Sequence, residues 1–120
     1  MDKSHKNQQC VFHKDVEGNP ISAGVVRKVL AYSDAVMCVE HSFEAGTVLP
    51  VHSHPHIQIA YIVEGRFSFT IGDEVKELSK GDTFCTQGGV PHGGTCLEKG
   101  IVVDFFNPMR EDFVKDGDRK

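Results

Sequence analysis

Val51-His52-Ser53-His54-Pro55-His56-Ile57-Gln58-Ile59-Ala60-Tyr61-Ile62-Val63-Glu64-Gly65 is the stretch that decides how this chain reads. Three of the seven histidines fall at its start, followed at once by a strand-like run. In an extended backbone side chains alternate faces, so His52, His54 and Gln58 share a parity. Two imidazoles and an amide oxygen then converge on one side of a sheet, which is most of a metal site from a single strand. His56 has the same parity, but Pro55 disturbs the strand there. His56 is expected to stand behind the ligands or line the pocket.

Working outward, short strand signals recur with turn signals every eight to twelve residues. Upstream, Val25–Leu30 and Ala35–Glu40 read as strands around a Tyr32-Ser33-Asp34 turn. Downstream, Arg66-Phe67-Ser68-Phe69-Thr70-Ile71 alternates strictly, which places Phe67, Phe69 and Ile71 on one face. Gly72-Asp73 reads as a two-residue hairpin turn and Lys80-Gly81-Asp82 as another. Thr83–Thr86 is a short strand, Gly88-Gly89-Val90-Pro91 a tight loop before His92, and Lys99-Gly100 a turn into a last strand, Ile101–Phe106. Nothing reads as a long amphipathic helix; Met109–Val114, after Pro108, is expected to form a helical turn. The pattern predicts an all-β sandwich or barrel.

With 120 residues, the chain has the size of one domain. Residues 1–15 are polar and unpatterned and are expected to form a loose arm, with His5 and His13 solvated. The domain is expected over residues 16–114, and the charged tail 115–120 to fray. His41 reads as an ordinary strand residue. A net charge of −4 without a basic stripe argues against a nucleic-acid partner. No apolar run approaches a membrane span, and no signal peptide is apparent, so a cytoplasmic protein is expected. Cys10, Cys38, Cys85 and Cys96 are scattered, without a CxxC pair, and read as free thiols in a reducing compartment.

Neutral imidazole binds zinc, iron, nickel, manganese and cobalt, and the harder of these also accept an amide oxygen. An HxH pair on a strand edge is by itself equally consistent with a histidine-rich loop. Gln58 at the shared parity and His92 after a glycine-rich loop raise the set to four donors, leaving positions for water or substrate.

The spacing resembles the two cupin motifs. The first is Gly46, five residues, His52-Ser53-His54, three residues, Gln58, six residues, Gly65; the second is Gly81, Gly89 and His92. The family usually has Glu where this chain has Gln58. The resemblance implies a double-stranded β-helix (jelly-roll) barrel, often a homodimer, in which His52, His54, Gln58 and His92 hold one divalent transition metal (Ni, Zn, Mn, Fe or Co). It extends further: Arg27–Tyr32, His52–Gln58 and Asp104–Asp112 resemble the KdgF-type pectin-degradation cupins, in which Gln replaces Glu. Those proteins open the ring of 4,5-unsaturated monouronates from pectin or alginate into linear 5-keto-4-deoxyuronates. Their catalytic Asp, Phe and Arg carry over by motif to Asp104, Phe106 and Arg110.

The chemistry suits these residue types. A neutral Gln leaves the metal's charge intact and so makes it a stronger Lewis acid. Asp104 can move protons if it faces inward. Arg110 can hold the carboxylate of a small sugar-acid substrate through a bidentate pair, which Lys would do poorly. Phe106 shares the parity of Asp104 and can pack on the sugar ring. Without the resemblance each has a plainer reading: Asp104 caps a turn or pairs with Arg110, Phe106 is core, and Arg110 pairs with Glu111 or Asp112. The rival activities are an iron-dependent dioxygenase or a sugar isomerase of the same fold, and a non-catalytic sugar- or effector-binding module.

Overall fold

Alternation of buried and exposed side chains builds the strands that the sequence implies. The computed structural model describes residues 4–114. In chain order the strands are β1 (Asn19–Ser22), β2 (Val25–Tyr32), β3 (Met37–Phe43), β4 (Val48–His52), β5 (Ile57–Ile71), β6 (Glu74–Ser79), β7 (Thr83–Thr86) and β8 (His92–Asn107). All pair antiparallel. β5 and β8 pair along their length, from Ile57↔Asn107 to Ile71↔His92, and form the spine of one eight-stranded sheet. Their one half continues into β3-β2-β1 on the β8 side and β7 on the β5 side. The other half is flanked by β4 and β6. The result is the jelly-roll barrel.

The turn expected at Lys99-Gly100 is a bend inside a single strand, and Gly65 makes the matching bend in its neighbour. Gly65 and Lys99-Gly100 lie within β5 and β8, where the register shifts between Ile62 and Phe67. A Cβ on Gly65 would meet Gly100 Cα at 2.6 Å, and one on Gly100 would meet the Glu64 carbonyl at 2.3 Å. Only two glycines allow the backbones this close, and the bulge bends both strands so that the sheet curls into a barrel. It also switches parity: Gln58, Ala60 and Ile62 face inward before it, Phe67 and Phe69 after it.

The core has two parts. Phe43, Ile62, Phe67, Phe69 and Val102 form one, and Val29, Met37, Val39, Phe106 and Phe113 the other. Burying each such side chain contributes roughly 1.5–3 kcal/mol. The Gly72-Asp73 hairpin forms as expected, with Ile71 opposite Glu74. β1 is an addition to the reading, a short bulged edge strand too polar to signal itself.

The N-terminal segment differs from the loose arm expected. From residue 4 it is tied along β2: the His5 imidazole donates to the carbonyls of Val29 and Leu30 (3.0 and 2.9 Å), and the Asn7 amide to that of Tyr32 (2.8 Å). A 3-10 turn, His13–Asp15, then brings His13 to the Glu40 carboxylate at 2.9 Å. Neither histidine is a bystander; each has found an acceptor that the sequence could not place beside it. Residues 1–3 and the tail 115–120 lie outside the described residues. After β8 the chain makes a helical turn over 111–114 and folds Phe113 back onto Phe106.

Candidate metal centre and active site

The expected ligand row is not one strand. β4 ends at His52, residues 53–56 form a loop, and Gln58 is the second residue of β5. Pro55 breaks the extended backbone, so shared parity is not what unites the set. The fold brings the residues together all the same. His52 lies directly opposite His92 across β4 and β8, and the loop returns His54 beside the pair, its ring centroid 4.8 Å from that of His92. The ligand nitrogens of His52, His54 and His92 lie within 4.8 Å of one another.

Each of these rings is oriented by a backbone carbonyl. His52 Nδ1 donates to Pro50 (3.0 Å), His54 Nδ1 to His56 (3.1 Å) and His92 Nδ1 to Val90 (2.9 Å). A carbonyl only accepts, so the proton sits on Nδ1 and Nε2 presents a lone pair. Burial lowers the pKa of His54 and of His92, which keeps both rings neutral. His92 Nε2 is buried with no hydrogen-bond partner.

Gln58 supplies the sharpest test of what fits here. Its amide nitrogen donates to Asp104 Oδ1 at 2.8 Å, and a carboxylate can only accept, which fixes the amide's orientation. Its oxygen therefore faces His54 Nε2 at 3.0 Å, lone pair to lone pair. Two acceptors at that distance repel unless a cation lies between them. Three inward imidazole lone pairs and an amide oxygen have the chemistry of a divalent-metal site.

Behind the ligands runs a chain of polar contacts that the sequence reading missed. Asp104, inward on β8 with Val102 and Phe106, also accepts from His41 Nδ1 at 2.8 Å. His41 Nε2 in turn accepts from Arg27 Nε at 3.1 Å. A guanidinium only donates, so His41 accepts at Nε2 and carries on Nδ1 the proton it donates to Asp104. His41 is thus no ordinary strand residue. The signal was available: Val25-x-Arg27-x-Val29 and Val39-x-His41-x-Phe43 set polar residues at core parity, and Arg27 and His41 are cross-strand neighbours.

The C-terminal turn closes this end of the barrel. Phe113 lies between two guanidiniums, with Arg27 3.5 Å and Arg110 4.2 Å from its ring centroid. Burial, and after it the neighbouring Arg110, pulls the pKa of Arg27 down to about 10, leaving it a cation near neutrality. Arg110 donates from Nε and Nη2, one edge of its guanidinium, to the two oxygens of Asp112, at 3.1 and 2.9 Å. Of the plainer readings, the Arg110–Asp112 pair is present, whereas Asp104 bonds Gln58 and His41 rather than Arg110. Phe106 is 2% exposed, packs on His54 and His56, and belongs to the core as well as to the cavity wall. His56 stands behind the ligands through its carbonyl, with its ring against His54.

His52, Gln58, His92, Asp104, Phe106 and Arg110 all line one cavity of ≈ 570 Å³, together with Arg27, His41 and Phe113. That volume accepts a small polar molecule of sugar size.

The family model for the cupin domain matches residues 39–105. The pectin degradation protein KdgF of Dickeya dadantii (strain 3937) is 37% identical over 93 residues, 76% of this chain and 84% of that protein. The crystal structure of an RmlC-like cupin from Shewanella frigidimarina superposes with a TM-score of 0.86 at 36% identity, covering 89% of this chain and 96% of that one. KdgF from a Halomonas species superposes with a TM-score of 0.84 at 32% identity, covering 87% and 96%. A jelly-roll barrel with three converging histidines, both cupin motifs and these relatives lead to one conclusion: the chain belongs to the cupin family, among the relatives of the KdgF pectin-degradation proteins.

Proposed function

We propose that this protein is a metal-dependent, non-redox enzyme that opens the ring of 4,5-unsaturated uronates to 5-keto-4-deoxyuronates in the breakdown of pectin or alginate. The observation that carries the reading is Asp104, a buried carboxylate in the cavity wall that accepts from Gln58, whose amide oxygen faces the histidine cluster. The kinship with proteins named for pectin degradation supports the substrate class.

His52, His54, Gln58 and His92 would hold one divalent ion. When bound, it supplies Lewis acidity to a substrate oxygen, undiminished because Gln58 is neutral. The net reaction is an isomerisation. One proton leaves the anomeric hydroxyl as the bond from C1 to the ring oxygen breaks, and one proton arrives at C4 as the resulting enol becomes a ketone. Asp104 can accept the first and deliver the second. Gln58 and His41 fix its two oxygens, so the carboxylate meets the substrate without reorganising. Phe106 offers an apolar surface to the ring, and Arg110 adds positive charge to the wall. Metal-loaded protein should accelerate loss of the enol-ether absorbance of 4,5-unsaturated galacturonate over the spontaneous rate. Absence of acceleration, or full activity in Asp104→Ala, sinks the assignment.

The assembly we infer is a homodimer. Ile57, Ile59, Tyr61 and Val63 stand exposed along the outer face of β5, with Phe105 of β8 beside Ile59. An apolar row of this kind on an open sheet face suits burial against a second copy. The four free cysteines suit a reducing cytoplasm.

A further inference from the structure

The arginine expected to clamp a substrate carboxylate is already engaged. Asp112 takes the Nε/Nη2 edge of Arg110 in a bidentate pair that answers its charge, and burial notwithstanding, that pairing holds the Asp112 pKa below the ordinary carboxylate range. Arg66 is likewise paired, with Glu77 and Glu98. Arg27 is different. It is half-buried and points inward between Val25 and Val29. Its Nε is used on His41, and one face of the guanidinium lies on Phe113. Among the described residues no carboxylate forms an ion pair with it.

A desolvated guanidinium whose terminal N–H groups lack an anion is costly to keep. Stacking on Phe113 and the His41 contact hold it rigid, which lowers the entropy lost when a ligand arrives. Its remaining donors match a planar carboxylate in bidentate geometry. Through His41 it is linked to Asp104, and both residues line the same cavity.

We propose that Arg27 is the residue that binds the carboxylate of the sugar acid, orienting the ring toward Asp104, while Arg110 holds Asp112 and the C-terminal turn. The proposal rests on reading the cavity as a sugar-acid site, but not on turnover. It is tested by calorimetry on metal-reconstituted protein with D-galacturonate, which lacks the 4,5 double bond, and with its uncharged methyl ester. Wild type should prefer the acid by about tenfold or more, the worth of one charge-assisted pair. Arg27→Gln should bring the ratio close to one, and Arg27→Lys should restore part of it. A second measurement uses wild type alone: galacturonate, and not the ester, should slow phenylglyoxal modification of Arg27 read by peptide mass spectrometry. No acid preference in wild type, an undiminished ratio in Arg27→Gln, or no protection of Arg27 overturns the proposal. An Arg27-dependent preference without turnover of the unsaturated uronate would refute the ring-opening reaction and leave Arg27 standing.

Discussion

Replacing Gln58 by Leu leaves an apolar branched side chain one atom shorter and removes both the donor to Asp104 and the oxygen that faces His54. The 2.8 Å bond to Asp104 Oδ1 is charge-assisted and lies among groups less than a tenth exposed. Such a bond contributes about 1.5–3 kcal/mol, and the carboxylate oxygen left behind would have no donor. Relief of the lone-pair contact with His54 offsets part of the loss. In chelator, Gln58→Leu should therefore lose about 2 kcal/mol, or about 8 °C in Tm at this chain length. Asp104→Ala alone should also destabilise, because His41 Nδ1 and the Gln58 amide both lose their acceptor. Once Asp104 is gone, however, the second change should cost little, since no buried carboxylate remains to be stranded. The double-mutant cycle, read by urea denaturation of the two single variants and the pair, should give a coupling of about 1.5 kcal/mol or more. A coupling below about 0.5 kcal/mol, the range of independent sites, would refute the bond and with it the orientation of Gln58.

Protein purified without chelator should contain one divalent ion per chain, and His92→Ala should lose it; elemental analysis finding none, even after reconstitution, contradicts the metal centre. Phe113→Ala removes the ring between Arg27 and Arg110 and should cost about 3 kcal/mol in a urea titration, whereas a change within 0.5 kcal/mol would mean that the turn is not docked. Burial raises the pKa of both Cys38 and Cys96, and the thiolate is the reactive form, so iodoacetamide at pH 8 should label exposed Cys10 and Cys85 first and Cys96 last. Tyr61→Glu puts a charge in the exposed apolar row and should convert dimer to monomer in light scattering without unfolding the barrel.

Much of the fold was written in local pattern. Phe67 and Phe69 announced their face by alternation, and Gly72-Asp73 announced its hairpin, because both depend on neighbours in sequence. The bends at Gly65 and Gly100 did not, since their meaning lies in the meeting of two strands far apart in the chain. The histidine cluster was found for a reason only partly right: His52, His54 and Gln58 do converge, but through a strand end, a loop and a new strand. Arg27 and Phe113 went unassigned and His41 read as an ordinary strand residue, because their roles exist only in contact with each other and with Asp104. Gln58 was legible as a donor. Its grip on Asp104 was not.

The most direct test follows the proton. Metal-loaded protein is given 4,5-unsaturated galacturonate in D2O, and product is read by NMR at early times against the uncatalysed reaction. The 5-keto-4-deoxyuronate should form faster, with deuterium entering C4 from one face only, as delivery by a fixed Asp104 requires. Formation no faster than in buffer, or label on both faces from the outset, would contradict this mechanism.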